Sequence, residues 1–155
     1  MRPFPVVLAL LLLAAGLALP VSAAEANRAD TNRVGYVSIE GVSISLHGSE
    51  ARIGVDYTID PGMHLIFLLF GTGDLQRKIE KALNYPSLKA GELGSGHAVF
   101  TLEGAADCSP DGACWFTAHR FGATIPRVEI TAPGYSLSYT RAGSIPKGFG
   151  YFDTS

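Results

Sequence analysis

The stretch from Val42 to Ile59 constrains the fold more than any other. Val42, Ile44 and Leu46 alternate with Ser43, Ser45 and His47, and Ala51, Ile53, Val55, Tyr57 and Ile59 alternate with Glu50, Arg52, Gly54, Asp56 and Thr58. A period of two places each apolar set on one face of a strand. Between the runs stands Gly48-Ser49, and a glycine at the first central position is what a two-residue type II′ turn requires. Pairing His47 with Glu50 sets Leu46 opposite Ala51, Ile44 opposite Ile53 and Val42 opposite Val55, so both apolar sets share a face. Upstream, Val37 and Ile39 are apolar at odd positions whereas Val42 and Ile44 are even. The period slips by one near Glu40-Gly41, which predicts a β-bulge there.

The rest of the chain reads as further strands around one helix. Met63 to Phe70, MHLIFLLF, is too short to span a membrane and is expected to be a central strand covered on both faces. In the following segment Leu75, Ile79, Ala82 and Leu83 recur at helical spacing, Thr72 or Asp74 can cap the start, and Pro86 ends the run. Arg77, Lys78 and Lys81 read as its solvated face. Pro86 to Gly96 is expected to be a loop. His97 to Glu103 alternates about Ala98, Phe100 and Leu102; Cys114 to Phe121 supplies an aromatic strand; Arg127 to Thr131 and Tyr135 to Thr140 flank a turn at Ala132-Pro133-Gly134. The tail, Gly143 to Ser155, carries Phe149, Tyr151 and Phe152, read as a plug on the end of the core. Short strands with regular turn signals and a single helix predict a mainly β chain, an antiparallel β-sandwich of which the immunoglobulin-like arrangement is one form, with the helix inserted between strands.

The N-terminus sets the expected compartment. Arg2 precedes an apolar run from Val6 to Leu19, then Pro20 and the small residues Ser22, Ala23 and Ala24, the order of a secretory signal. Residues 1–23 are therefore expected to be removed, residues 24–33 to form a flexible mature N-terminus and residues 34–155 to form one domain. The apolar core is shorter than the roughly 20 residues a spanning helix needs, so no transmembrane span is expected after cleavage. Of the 155 residues, 12 are Lys or Arg and 14 Asp or Glu; this balance gives no electrostatic footprint for nucleic acid. The location expected is secreted or within the cell envelope.

Cys108 and Cys114 are the only cysteines. In an exported chain they are expected to form a disulfide. The intervening Ser109-Pro110-Asp111-Gly112 is built like a type I turn, so the bond closes a hairpin. Redox catalysis would prefer two intervening residues, and zinc would need more thiols or placed histidines. Extending the register implied by Cys108 opposite Cys114 sets Ala106 against Phe116 and Glu103 against His119. Trp115 and His119 then share one side of the pleat, giving a surface strip of Trp115, His119 and Glu103 that serves as the candidate binding site. The competing assignment buries Trp115 in the core, the commoner fate of a lone tryptophan, and leaves His119 and Glu103 as a cross-strand contact.

Chemistry-bearing patterns are otherwise incomplete. Asp107-x-Ser109-x-Asp111-Gly112 has the first half of a calcium loop, but its twelfth place is Ala118 where a bidentate glutamate is required. Gly71-Thr72-Gly73 opens the helix after an apolar run, yet Gln76 stands where a third glycine belongs, so it reads as a helix-start turn. Asp56 and Asp60 could share a polar strand face. The histidines, His47, His64, His97 and His119, show no pair at helical metal spacing, and His64 lies in the apolar octapeptide. No catalytic residue, metal site or cofactor is assigned. The function expected is a non-catalytic binding or structural module with a protein or surface glycan as partner. Two alternatives are a carbohydrate-binding module using Trp115 and a small secreted hydrolase using the His119/Glu103 pair.

Overall fold

The computed structural model describes residues 31–63, 65, 69 and 71–153; the expected signal segment lies outside them. The elements run β1 (Arg33–Val34), β2 (Val37–His47), β3 (Glu50–Ile59), a 3-10 turn (Pro61–Met63), α1 (Gly73–Leu83), β4 (Lys89–Leu93), β5 (His97–Leu102), β6 (Ala106–Cys108), β7 (Ala113–Phe116), β8 (His119–Ala132), β9 (Tyr135–Ile145) and β10 (Phe149–Phe152). The chain is mainly β, with α1 inserted between β3 and β4. Seven strands form one sheet in the order β4-β5-β3-β2-β8-β9, with β1 paired to β2, and β10-β7-β6 form a second, three-stranded sheet. The large sheet is mixed rather than antiparallel throughout, because β2 and β8 run parallel, with Val42 beside Val128 and Ile44 beside Ile130. β2 and β8 are far apart in sequence, and strand alternation carries no information on the direction in which distant strands meet.

The leading hairpin has the register its alternation predicts. His47 pairs with Glu50, Leu46 with Ala51, Ile44 with Ile53 and Val42 with Val55, and the register shifts between Ile39 and Gly41. Gly48 takes the positive φ of 53° that the turn needs. The apolar positions continue as rows across the sheet. Phe100 faces Ile53, which faces Ile44, which faces Ile130; Ala98, Val55, Val42 and Val128 form the parallel row. All eight are buried, and such cross-strand rows are what fixes the register.

Leu75, Ile79, Ala82 and Leu83 are the buried face of α1. The end of the helix comes so close to β8 that a Cβ on Gly122 would lie 2.0 Å from the Lys81 carbonyl oxygen. Only a residue without a side chain allows that approach. Asn84 closes the helix in a left-handed conformation and donates its backbone N–H to Glu80 O. At the start of α1, Tyr36 donates to Asp74 Oδ2 over 2.8 Å and Lys78 reaches the same oxygen over 2.8 Å. The Lys78 and Tyr36 hydrogen bonds hold the Asp74 carboxyl below its usual range, while burial and then the Asp74 bond push Tyr36 up to about 12.

The inner face of the small sheet, Cys114, Phe116, Phe149 and Tyr151, joins the same hydrophobic core. Its attachment is polar as well: Tyr151 Oη donates to Gly48 O, and the Ala105 amide donates to Ser49 O over 2.8 Å. Both anchors grip the β2–β3 turn. Among the described residues no helix is long and apolar enough to cross a membrane.

Four sequence expectations are corrected. Met63 closes a 3-10 turn, and Leu65 and Leu69, the described residues of the apolar octapeptide beyond it, have helical backbone and are 66% and 70% exposed. They do not form a central strand; a short unbroken apolar run lacks the period that separates strand from helix. His64 lies outside the described residues. The expected loop from Pro86 to Gly96 contains the edge strand β4. The strand expected from Cys114 to Phe121 ends at Phe116, and His119 and Phe121 belong to β8. Finally, Phe149 and Tyr151 plug the core as expected, but Phe152 is 65% exposed.

Candidate functional site

The small sheet has two faces of opposite character, apolar inside and partly aromatic outside. In β7 the side chains of Cys114 and Phe116 point inward, which turns Trp115 outward; in β10 Phe149 and Tyr151 point inward, which turns Gly150 and Phe152 outward. The ladder places Asp107 beside Trp115 and Trp115 beside Gly150, with Phe152 beside Ala113. Phe152 is thus the diagonal neighbour of Trp115, within reach of a large ring. Trp115 is 53% exposed, so the core assignment for it is wrong. A lone tryptophan is usually buried, but here the inward positions of β7 are already taken by Cys114 and Phe116.

Glycines shape this surface. A Cβ on Gly148 would lie 2.9 Å from the Trp115 indole Nε1 and 2.6 Å from Phe116 O, and one on Gly150 would lie 3.5 Å from Trp115 Cε3. The indole therefore lies along β10, its pyrrole edge at Gly148 and its six-membered ring at Gly150, with one face on backbone. About half of Trp115 remains exposed, with Asp107 on the neighbouring strand and Phe152 on the diagonal.

Glu103 and His119 are elsewhere. They line a pocket of about 270 Å³ with Tyr85, Pro86, Leu102 and Phe116, and Trp115 is not part of its wall. The predicted register holds for Ala106 with Phe116 and Cys108 with Cys114, but it stops there: His119 pairs with Ile145 in the large sheet. No hydrogen bond joins Glu103 to His119 among the described residues; Glu103 is paired with Lys89 over 2.5 Å. His119 Nε2 donates to Leu83 O over 2.7 Å, and its ring stacks on Tyr85 with centroids 3.5 Å apart and planes within 9°. Burial lowers the His119 pKa, against the opposing pull of the Leu83 carbonyl. With Nε2 as the donor, the neutral ring carries its lone pair on Nδ1. The Tyr85 hydroxyl is buried without a hydrogen-bond partner, and burial pushes its pKa up. Chemically, this pocket holds a neutral imidazole that ties down a helix end, and a carboxylate already neutralised by lysine.

The remaining candidates resolve locally. Cys108 and Cys114 are bonded, with sulfurs 2.06 Å apart. In the turn between them Ser109 Oγ donates to Asp111 Oδ1 and lies 2.9 Å from Ala113 O; the Ser109 bond lowers the Asp111 pKa. No group of three or more metal-ligating side chains occurs among the described residues. Asp56 bonds His97 Nδ1 over 2.7 Å, whereas Asp60 pairs with Arg33, so the two carboxylates do not act together. Gly71 adopts a φ of 77°, and Thr72 occupies the N-cap position without the expected side-chain capping bond, while Asp74 is engaged by Tyr36 and Lys78.

Sequence reasoning missed the partner of Trp115. The alternation of Phe149 and Tyr151 against Gly150 and Phe152 was available in the tail, but nothing in it reveals that β10 pairs with β7. No protein-family model, no curated protein and no solved structure matches this chain.

Proposed function

We propose that the protein is a non-catalytic binding module of the cell envelope or extracellular space, and that it contacts its ligand, a glycan, through the outward face of the β10-β7-β6 sheet. The observation that carries this reading is the exposure of Trp115 on a bed of glycine backbone, with Phe152 on the diagonal and Asp107 alongside. An open indole face accepts the C–H face of a pyranose ring, and a neighbouring carboxylate accepts its hydroxyl hydrogens, the division of labour expected of a site that is apolar with a few placed polar groups. Reading the two sheets as layers of a sandwich rests on their shared core. The extracytoplasmic location rests on the leader-like N-terminus and the disulfide.

The hydrolase alternative has less support, because Glu103 is held by Lys89 and His119 Nε2 by Leu83 O. Trp115 is the only tryptophan, so its emission reports on the proposed surface alone. Titration with soluble cell-wall oligosaccharides should shift that emission and protect it from acrylamide, with saturation, and Asp107→Asn should weaken the response. Emission that stays quenchable at every concentration of every oligosaccharide would overturn the glycan assignment.

A further inference from the structure

A second concavity, remote in chemistry from the aromatic face, lies where β9 leaves its register with β8. The pairing shifts between Arg120 and Ile125, and the ladder resumes with Ile125 beside Ala142 and Arg127 beside Thr140. Between those pairs Pro126 stands against Arg141. Proline brings no N–H to a ladder, and Arg141 there takes a left-handed φ of 51°. A side chain other than glycine, asparagine or aspartate seldom adopts that conformation, and such strained residues gather at binding sites. Pro126 and Arg141, with Thr31, Asn32 and Thr124, line a pocket of about 370 Å³.

The described wall of this pocket carries a single charge, that of Arg141. No acidic side chain lines it among the described residues, and the Arg141 guanidinium makes no ion pair among them, in contrast to Arg33, Arg77 and Arg127, which face Asp60, Asp74 and Glu129. Asn32 spends one amide hydrogen on Ile39 O over 2.9 Å, which fixes its head group and leaves the second N–H for another acceptor. A planar fork of five donors beside an anchored amide is the chemistry of oxyanion recognition. We infer that the pocket of Arg141 and Asn32 binds an oxyanion, with the guanidinium as its bidentate partner. The left-handed backbone at Arg141 serves to present that fork to the pocket.

The test is nuclear magnetic resonance of the protein at constant ionic strength, with chloride replaced in turn by inorganic phosphate, sulfate or acetate. Saturable shifts of the Asn32, Thr124 and Arg141 amides are expected. Saturation by phosphate and sulfate alone identifies a tetrahedral anion, and saturation by acetate identifies a carboxylate. Arg141→Gly suits the left-handed backbone and so keeps the fold; it should weaken binding about tenfold or more, as loss of a charge-assisted bidentate pair does. Arg127→Gln, which removes a charge next to Pro126 on a side chain outside the pocket wall, should change affinity little. Shifts that rise linearly with all three anions, or an Arg141→Gly variant that binds as the parent does, would overturn the proposal.

Discussion

The imidazole of His119 donates from Nε2 to the carbonyl oxygen of Leu83 across 2.7 Å, tying the first residue of β8 to the last residue of α1. Terminal helix carbonyls have no partner within the helix, and Leu83 is wholly buried, so this bond satisfies an acceptor that water cannot reach. Replacing His119 with Ala should therefore cost about 1–3 kcal/mol in urea unfolding, with the lost stacking on Tyr85 adding to it.

The same histidine gives a pH signature. Burial depresses its pKa in the folded state, whereas the unfolded chain titrates near the ordinary value of about 6.5. As the pH falls below that value the unfolded state takes up a proton that the folded state refuses, so stability declines toward the folded pKa. Between pH 7 and 5 the parent should lose more stability than His119→Gln, measured as the difference in their melting temperatures. Equal slopes would show that His119 titrates alike in both states.

Tyr85 is expected to behave in the opposite way. Its hydroxyl is buried without a partner, and an unmade buried hydrogen bond costs about 1–3 kcal/mol. Tyr85→Phe retains the ring that meets His119 and Phe121 and removes the unsatisfied atom. The variant should be at least as stable as the parent in thermal unfolding; a loss of more than about 1 kcal/mol would mean that the hydroxyl has a partner.

Gly122 tests the close packing of α1 on β8. Its hypothetical Cβ lies 2.0 Å from backbone, the Lys81 carbonyl oxygen, and neither element can yield without moving the other. Gly122→Ala should destabilise by about 3 kcal/mol, the upper end of ordinary overpacking. Gly143→Ala, where a Cβ would meet nothing within 4 Å, is the matched control and should change little.

The disulfide closes a short loop, with a sequence separation of 6. Chain entropy then gives it about 2 kcal/mol. Replacing Cys108 and Cys114 together by Ser should lower stability by that amount while far-ultraviolet circular dichroism stays β-like.

What the sequence shows and what it hides follow from the range of each interaction. The β2–β3 register, the bulge at Gly41, the cysteine hairpin and the buried face of α1 are set by residues close together in the chain, and alternation or turn chemistry is enough to read them. The parallel meeting of β2 with β8 and the pairing of β7 with β10 join distant segments, and no local period encodes them. That is why Trp115 was open to a core assignment: its exposure depends on Phe149 and Tyr151 filling the inside from 30 or more positions away in the chain. Trp115, His119 and Glu103 are not brought into one strip for a related reason. The register from the cysteines persists only to Phe116, after which the chain crosses into the large sheet.

The measurement that bears most directly on the binding role is cosedimentation of the protein with insoluble envelope polysaccharide from the producing cells, comparing the parent with a Trp115→Ala/Phe152→Ala variant. Both rings point outward, so the variant should keep the parent's circular dichroism. The parent should pellet with the polysaccharide and be released by soluble fragments of it, and the variant should remain in the supernatant. Equal pelleting of a folded variant, or a parent that never leaves the supernatant, would contradict a glycan-binding surface centred on Trp115.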